Sequence, residues 1–387
     1  MNNFTVDLVT RLHFGKGQLS NLKSEVKALG TNVLLVYGKS AIKKNGLYEE
    51  VIQQLDGFNV VELPNIDPNP RLESVIAGQQ LCKTYAIDVV LAVGGGSVID
   101  CSKAIAAASC YDKNPWDLVL NPKLIKKALP VVACLTNAAT GSEMNGSSVI
   151  SNLKSQEKLG FNSHLMKPTV SICDPSWSMS LSAYQTAAGA ADIMSHVFEN
   201  YFSQVTDSMV SDLLSIGILE TVMTYCPIAL ENPTDYEARA NLMWASTMGL
   251  NGLTGVGKGG AWSCHPIEHE LSAFYDITHG TGLAIITPHW MRHILSETTV
   301  ARFVLLGKKL FSLKGSNMEI AKKTNDRIEA FLRSLPIEKS LEECHIDDSL
   351  FDTMAQRVLM HKDLSKAFVE LSHSDIVNIL EKSLQWN

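Results

Sequence analysis

The strongest local signal in the N-terminal half is the stretch Leu91-Ala-Val-Gly94-Gly-Gly96-Ser97-Val-Ile-Asp100-Cys-Ser-Lys103. A short apolar run ends at Gly94, three glycines follow, and a helical pattern begins near Ser97. A backbone without Cβ atoms permits close approach, and the first N–H groups of a helix have no intrahelical partner, so this turn is suited to bind a pyrophosphate. The G-x-G-x-x-G spacing of an ordinary dinucleotide-binding fingerprint is absent, and a tight turn that merely requires glycine is the alternative interpretation.

Apolar runs and helical patterns alternate on both sides of this turn, from the N-terminus to about residue 180. Buried strands are predicted at residues 33–37, 60–63, 88–93, 130–134 and 169–173, and helices at 19–29, 47–54, 72–85 and 98–108. Such alternation predicts a parallel, Rossmann-like sheet with helices on both faces, which binds ligands at the carboxyl ends of its strands. We therefore expect an α/β dinucleotide-binding domain over residues 1–180.

Helical periodicity dominates after residue 180. Ser182 and Gln185 have the spacing of a capping box, and helices are predicted at residues 207–228, 236–250, 299–311, 320–332, 350–360 and 374–384. This pattern predicts an all-α metal-binding domain over residues 181–387. Because the boundary near Asp174 and Pro175 lacks the composition of a flexible linker, we expect the two domains to pack closely with a cleft between them.

Composition excludes several classes of protein. The chain has 387 residues, 45% of them hydrophobic and 19% charged, with a net charge of -7. No basic face with interleaved aromatic residues is evident, so nucleic acid is not an expected partner. The eight cysteines form no CxxC pair, the N-terminus has no signal-peptide pattern, and no stretch of 18 uncharged apolar residues occurs. We expect a cytoplasmic protein with reduced thiols and no membrane segment.

The segment Ala187 to Glu199 contains candidate metal ligands. Asp192 and His196 are four residues apart in a helical pattern, so both side chains lie on one face and can reach the same ion. Three further histidines follow downstream, at His265, His269 and His279. Carboxylate and imidazole groups in this number are sufficient for a divalent-metal site.

Each of these candidates also has a purely structural interpretation. Asp192 follows Gly189 near an expected helix start, where the helix dipole favours any carboxylate, and an isolated buried histidine is more often a core residue than a ligand. Pro266 suits the first position of a helix that would place His265 at its cap. The same Pro266 excludes the His-Glu-x-x-His pattern of metalloproteases, which requires glutamate directly after the first histidine.

Two further loops complete the candidate cofactor site. Thr136, Thr140 and Asn145 lie in a loop after the fourth predicted strand and suit phosphate, ribose or nicotinamide contacts, with an irregular surface turn as the alternative. Gly38, Lys39 and Ser40 follow the first predicted strand. No carboxylate occurs in that turn before Glu49, so Lys39 and Ser40 are expected to bind a 2′-phosphate, unless Lys39 is simply a solvated side chain.

In combination, these motifs resemble the iron-containing (group III) alcohol dehydrogenase family, particularly its NADPH-dependent butanol dehydrogenase and broad-range aldehyde reductase branch. The similarity extends over nearly the whole chain. It rests on Phe14-Gly-Lys-Gly17, Pro68-Asn-Pro70, Gly94-Gly-Gly-Ser-Val-Ile-Asp100, Thr140-Gly-Ser-Glu143, the Asp192 and His196 pair, His265, His269 and His279-Gly.

The resemblance implies a role for each candidate residue. It implies an active site between the domains, with His269 off the metal and linked to proton transfer. The metal ligands it implies are Asp192, His196, His265 and His279. The expected cofactor contacts are Gly38, Lys39, Ser40, Gly94, Gly95, Gly96, Ser97, Asp100, Thr136, Thr140, Asn145 and Lys158.

The expected activity is hydride transfer between NADP(H) and a small aldehyde or primary alcohol such as butanal or butanol, with one divalent metal, Fe(II) or Zn. A metal of this kind stabilises the alkoxide that forms as hydride reaches carbon. The resemblance further implies aldehyde reduction as the physiological direction and a homodimer paired through the N-terminal strand region. A lyase of the dehydroquinate-synthase type and a metal-assisted hydrolase are the alternatives, and a non-catalytic metal-binding role is the least favoured.

Overall fold

A computed structural model describes residues 1–385 of the chain. The chain divides into two compact units: an α/β unit of residues 7–181 and 232–247, and a helical unit of residues 1–6, 182–231 and 248–387. These units differ from the predicted division at residue 180 in two segments. Residues 1–6 join the helical unit because Asn2 N donates to Gly257 O at 2.8 Å. Residues 232–247 join the α/β unit, where the Thr247 hydroxyl donates to the buried Glu143 at 2.5 Å.

The predicted parallel sheet is confirmed, and the N-terminal strand region adds a sixth strand to the five predicted ones. The strands are β1 (Arg11–Phe14), β2 (Asn32–Tyr37), β3 (Asn59–Leu63), β4 (Val89–Gly94), β5 (Val131–Leu135), β6 (Ser147–Asn152), β7 (Glu157–Asn162) and β8 (Val170–Cys173). Six of them form a parallel sheet in the order β1-β8-β5-β4-β2-β3. Strands β6 and β7 form a separate antiparallel hairpin that the sequence pattern did not predict.

Alternating side chains of the central strands enter two different hydrophobic cores. In β4, Val90 and Ala92 belong to one core, whereas Leu91 and Val93 belong to the other. A strand buried on both faces must be apolar at every position, and this explains the continuous apolar runs of the sequence. Because the six strands are parallel, their carboxyl ends lie at one edge of the sheet, where the Gly-rich turn follows β4.

The helices agree with most of the predicted segments. In the α/β unit they begin with α1 (Leu22–Lys27), α2 (Ala41–Lys44), α3 (Leu47–Gln54), α4 (Leu72–Thr84), α5 (Gly96–Ala108) and α6 (Trp116–Leu120). The remaining helices are α7 (Ala183–Tyr201), α8 (Met209–Glu231), α9 (Tyr236–Leu250), α10 (Cys264–Tyr275), α11 (His279–His293), α12 (Val300–Phe311), α13 (Asn317–Ser334), α14 (Phe351–His361) and α15 (His373–Lys382). The predicted helical C-terminal region is thus confirmed.

Helix α7 begins where the sequence placed its cap, because the Ser182 hydroxyl accepts from Gln185 N at 3.1 Å. Asp192 consequently lies in the middle of a 19-residue helix rather than near its start. The helix dipole acts on the first turn only, so it does not explain a buried carboxylate at this position.

Helix α8 is long and apolar enough to cross a membrane by length and composition, a property that core helices of soluble proteins share. It packs against α7 and α12. Its Asp212 forms a buried ion pair with Arg302 of α12 at 2.5 Å. These contacts bury one side of α8 within the helical unit, while apolar side chains such as Val210 remain exposed.

Candidate functional site

Four side chains predicted as metal ligands lie together in the helical unit. Asp192, His196, His265 and His279 each offer one ligand atom, and these atoms all lie within 4.8 Å of one another. Oδ1 of Asp192 is 3.4 Å from Nδ1 of His196 and 3.6 Å from Nε2 of His279. Three of the four residues are buried and His279 is partly exposed. A cluster of one carboxylate and three imidazoles has the donor set of a divalent-metal site.

Three helices bring these ligands together. Asp192 and His196 lie one turn apart on α7, His265 lies in the first turn of α10, and His279 is the first residue of α11. The close approach of α11 to α7 requires glycine after His279, because a Cβ at Gly280 would overlap the backbone oxygen of Ala188.

Helix α10 begins earlier than the sequence indicated. Its first residue is Cys264, so His265 is inside the first turn and is not the cap predicted from Pro266. The reason is tertiary: Glu199 of α7 accepts from Ser263 N at 3.0 Å and from His265 N at 2.8 Å, which satisfies the orphan N–H groups of the helix start. Proline is tolerated in the first turn because its missing N–H would have no intrahelical acceptor there.

The residues present fit a divalent cation. Nδ1 of His196 is buried and makes no hydrogen bond to any residue between 1 and 385. Burial, followed by the neighbouring His265 imidazole, holds the pKa of His196 well below its usual range. The ring is therefore neutral, as a metal ligand must be.

Two buried glutamates that the sequence analysis did not select contact the histidines of this cluster. Oε1 of Glu199 lies 3.2 Å from Nδ1 of His265. Oε2 of Glu268 is hydrogen-bonded to Nδ1 of His279, and Oε1 of Glu268 accepts from the Ser272 hydroxyl. Burial raises the pKa of Glu199 to about 7 against the opposing hydrogen bonds from the backbone of α10. The position of Glu199, three residues after His196 on one helix, was the available sequence signal.

His269 lies beside the ligand cluster. Its ring centroid is 5.5 Å from that of His279 and 6.4 Å from that of His265. The side chain is half-buried, whereas His265 is buried. His269 also belongs, with Glu268 and His279, to a second group of side chains whose donor atoms lie within 4.8 Å of one another.

The Gly-rich turn in the α/β unit has the geometry that its sequence predicted. Gly94 ends β4 and α5 begins at Gly96. A Cβ at Gly94 would lie 2.6 Å from a Val98 methyl, and one at Gly96 would overlap the side chain of Thr140. The two predicted loops are therefore in contact, and Thr136 N joins them further by donating to Gly94 O at 3.0 Å. Ser97 lies in the first turn of α5 and is half-buried.

Asp100 and Asn145 are engaged in hydrogen bonds within the unit. Asp100 accepts from the Ser142 hydroxyl and, at 2.8 Å, from Val149 N. Asn145 Nδ2 donates to Gly141 O at 2.8 Å. Lys103 is fully buried between these two side chains, with Nζ 3.3 Å from Asp100 and 3.2 Å from Asn145 Oδ1. These contacts give both predicted cofactor residues a structural role in holding the loop to α5.

Lys39, in the turn after β2, has a carboxylate partner that its local sequence did not indicate. Lys39 Nζ lies 2.9 Å from Asp67 Oδ1, and both side chains are exposed. Backbone hydrogen bonds from Asn65 N to Gly38 O and from Ile66 N to Tyr37 O hold the two turns together. Asp67 follows β3, so the pairing of β2 with β3 brings it to Lys39.

Ser40 and Lys158 occupy different environments. Ser40 is exposed and precedes α2 without capping it through its side chain. Lys158 lies in β7 opposite Ser151 of β6 and is 4% exposed. The Lys158 side chain is therefore buried.

A parallel α/β unit with a Gly-rich strand-to-helix turn, in one chain with a helical unit that carries one carboxylate and three imidazoles, is the arrangement expected of a metal-dependent dehydrogenase. Two family models match the chain. "Iron-containing alcohol dehydrogenase" matches residues 9–175, and "Fe-containing alcohol dehydrogenase family, C-terminal" matches residues 186–384.

Similar proteins cover nearly the whole chain. NADH-dependent butanol dehydrogenase A of Clostridium acetobutylicum is 43% identical over 388 residues, 99% of this chain and 100% of that protein. The NADPH-dependent aldehyde reductase YqhD of Escherichia coli is 34% identical, over 93% of this chain and 94% of that protein. The crystal structure of NADH-dependent butanol dehydrogenase A from Thermotoga maritima has a TM-score of 0.95 at 38% identity, over 100% of this chain and 99% of that one.

The chain belongs to the iron-containing alcohol dehydrogenase family. It is accordingly a metal-dependent alcohol dehydrogenase or aldehyde reductase, and the family implies a divalent metal and a nicotinamide cofactor. This assignment disfavours the lyase and hydrolase alternatives.

Proposed function

We propose that this chain reduces small aldehydes such as butanal to primary alcohols with NADP(H). The observation that carries the proposal is the buried cluster of Asp192, His196, His265 and His279. One carboxylate and three neutral imidazoles neutralise only part of a divalent charge. The remaining positive charge suits a site at which negative charge develops on a carbonyl oxygen.

The side chains around the cluster divide the chemical work. When bound, the divalent metal supplies Lewis-acid polarisation of the substrate carbonyl. His269, half-buried beside the ligands, holds the proton that the product oxygen needs and transfers it directly or through water. The α/β unit positions the nicotinamide cofactor through the N–H groups at the start of α5.

The proposed metal is Fe(II) or Zn. Both accept imidazole and carboxylate ligands, and metal availability decides between such ions in vivo. Metal analysis of protein purified without added metal, followed by reconstitution of the metal-free protein with each ion, identifies the active form. An enzyme that retains full turnover after complete chelation would contradict the proposed metal site.

The proposed preference for NADP(H) rests on Lys39 and Ser40. Relatives of both kinds occur among the similar proteins, so their names do not decide the cofactor. Lys39 offers a positive charge and Ser40 a hydroxyl donor at the end of β2. A charge-assisted hydrogen bond to a phosphate contributes about 1.5–3 kcal/mol when well formed.

Asp67 is the observation that favours NAD(H) instead. Its carboxylate already pairs with Lys39 at 2.9 Å and has the chemistry to accept hydrogen bonds from ribose hydroxyls. An exposed ion pair contributes only about 0–1 kcal/mol. A 2′-phosphate that makes a charge-assisted bond is therefore expected to displace Asp67 from Lys39, and we retain NADP(H) as the proposed cofactor.

A homodimer and a cytoplasmic location complete the proposal. Strand β1 forms one edge of the six-stranded sheet, and Leu8 and Val9 just before it are exposed apolar side chains. Such an edge favours pairing with a second copy of the chain. The cysteines are all free, as expected for a reducing compartment. Light scattering at micromolar concentration tests the dimer, and a monomeric mass would reject it.

The deciding experiment is a screen of aldehydes of increasing chain length with NADPH and NADH on metal-reconstituted protein. We expect turnover of short linear aldehydes, a higher kcat/KM with NADPH, and aldehyde reduction favoured over alcohol oxidation at neutral pH. Equal or better kcat/KM with NADH would overturn the cofactor assignment and leave the dehydrogenase assignment intact.

A further inference from the structure

We propose that Glu199 and Glu268 are positioning residues that fix the ring orientation and proton location of two metal ligands, His265 and His279. This inference rests on the ligand set proposed above. It assigns to these two carboxylates a function beyond helix packing, because each is hydrogen-bonded to the Nδ1 atom of one ligand histidine.

The chemistry of imidazole gives these contacts their meaning. A neutral histidine ring has one N–H donor and one acceptor nitrogen. An ionised carboxylate accepts a hydrogen bond, so in that state of the glutamate the Nδ1 atom facing it carries the proton, and Nε2 is then the atom that binds a metal. For His279, Nε2 is indeed the atom that lies 3.6 Å from Asp192 Oδ1. Carboxylates in this position also raise the basicity of the ligand ring.

The two glutamates are held by contacts of their own. Glu268 is fully buried, its Oε1 accepts from the Ser272 hydroxyl, and the absence of a side chain at Gly282 makes room for it, because a Cβ there would lie 2.8 Å from Glu268 Cγ. Glu199 is 5% exposed and accepts from the backbone N–H groups of Ser263 and His265. Both carboxylates are thereby fixed independently of any metal.

The arrangement links three helices in sequence. Helix α7, which carries Asp192 and His196, supplies Glu199 to the histidine of α10. Helix α10 in turn supplies Glu268 to the histidine at the start of α11. Glu199 of α7 thus orients His265 of α10, and Glu268 of α10 orients His279 of α11. The packing of the helices therefore sets the ligand geometry before a metal binds.

The test compares Glu199→Gln and Glu268→Gln with the control Glu270→Gln. Glu270 is also a buried glutamate of α10, but its carboxylate pairs with Arg357 of α14 at 2.8 Å. Metal-free protein is titrated with Zn²⁺ in competition with a chromophoric chelator, and its Tm is measured separately. Loss of an outer-sphere carboxylate typically weakens metal affinity by about 10- to 100-fold.

We expect that weakening in Glu199→Gln and Glu268→Gln and an unchanged zinc affinity in Glu270→Gln, whatever the Tm of the metal-free variants. Wild-type affinity in both test variants, or equal weakening in Glu270→Gln, would overturn the inference. If the loss of the α10 cap prevents Glu199→Gln from folding, Glu268→Gln alone decides. His279→Ala distinguishes failure of the ligand set from failure of the positioning role. If His279→Ala abolishes zinc binding while Glu268→Gln leaves it unchanged, the ligand set is retained and only the positioning role is rejected.

Discussion

Oδ1 of Asp192 lies 3.6 Å from Nε2 of His279, although the two residues are on different helices and far apart in the sequence. Asp192 is buried in the middle of α7, and His279 is partly exposed at the start of α11. Carboxylate oxygen and imidazole nitrogen are both ligands that divalent metals accept, so the proximity of these two atoms supports the proposed metal site.

Replacing His279 with Ala is expected to remove both bound metal and turnover, because the three remaining ligands hold a divalent ion far less firmly. We expect kcat/KM to fall by at least about 100-fold, more than the loss of an outer contact. Metal content per chain, measured after gel filtration in weak chelator, shows whether the loss of activity follows from the loss of metal. His265→Ala should behave in the same way, and a variant that keeps both metal and rate would remove that residue from the ligand set.

His269→Ala is expected to separate metal binding from proton transfer. The ring of His269 lies 5.5 Å from that of His279 and is half-buried, so its loss should leave the metal content unchanged. Loss of a general acid typically slows catalysis by roughly 100- to 10,000-fold. The measurements are metal content and kcat across neutral pH. Loss of metal together with rate would place His269 among the ligands instead.

Lys39→Asp is expected to shift the preference from NADP(H) toward NAD(H). The substitution removes a phosphate contact and places a second carboxylate near Asp67. The expected change in the ratio of kcat/KM values is about tenfold to hundredfold, from the 1.5–3 kcal/mol of a charge-assisted bond. Asp67→Asn is the complementary variant and should strengthen NADP(H) use by freeing Lys39. An unchanged ratio of kcat/KM with NADPH to kcat/KM with NADH in both variants would show that this turn does not bind the 2′-phosphate.

Asp212→Asn is expected to destabilise the helical unit. Asp212 accepts from two nitrogens of Arg302, at 2.5 and 2.7 Å, and from Lys258 at 2.7 Å, all within a buried cluster. Removing the carboxylate leaves two buried cations unpaired, which costs about 3–5 kcal/mol. Chemical denaturation measures the loss. Asp207→Asn, which removes an exposed ion pair with the N-terminus, is the control and should leave the free energy of unfolding unchanged.

The difference in stability between the wild-type protein and Asp212→Asn is expected to depend on pH. Burial by itself raises the pKa of Asp212, but hydrogen bonds from Arg302 and Lys258 outweigh it and hold that pKa below the ordinary value of 3.8. A lowered pKa in the folded state stabilises the protein above the unfolded value, and this contribution is lost as the pH falls toward the folded value. The difference in stability between wild type and Asp212→Asn should therefore be complete at neutral pH and narrow below about pH 4.

Gly280→Ala is expected to disturb both stability and metal binding. A Cβ at this position would overlap the backbone oxygen of Ala188, which cannot move without shifting α7. Overpacking of this kind costs about 1–3 kcal/mol, and the shift displaces His279. Gly217→Ala on α8 is the matched control, because nothing lies within 4 Å of its added Cβ. That control should gain about 0.4–1 kcal/mol.

The amino-acid sequence predicted the alternation of the central strands and helices. Continuous apolar runs such as Val33 to Tyr37 can only be buried on both faces, so the parallel sheet followed from local composition. The β6–β7 hairpin was not predicted, because polar residues such as Ser147, Ser151 and Asn162 interrupt its apolar pattern. The ligand types were equally readable, since Asp192 and His196 lie one turn apart on a single helix.

The partners that surround those residues depend on tertiary packing. Glu199 reaches His265, and Asp67 reaches Lys39, through the packing of helices and the pairing of strands that lie far apart in the sequence. Local patterns carry the period of a helix or strand but not the distance between two of them. Hydrophobic burial sets the local pattern, whereas hydrogen bonds between distant side chains depend on the geometry with which the buried faces meet.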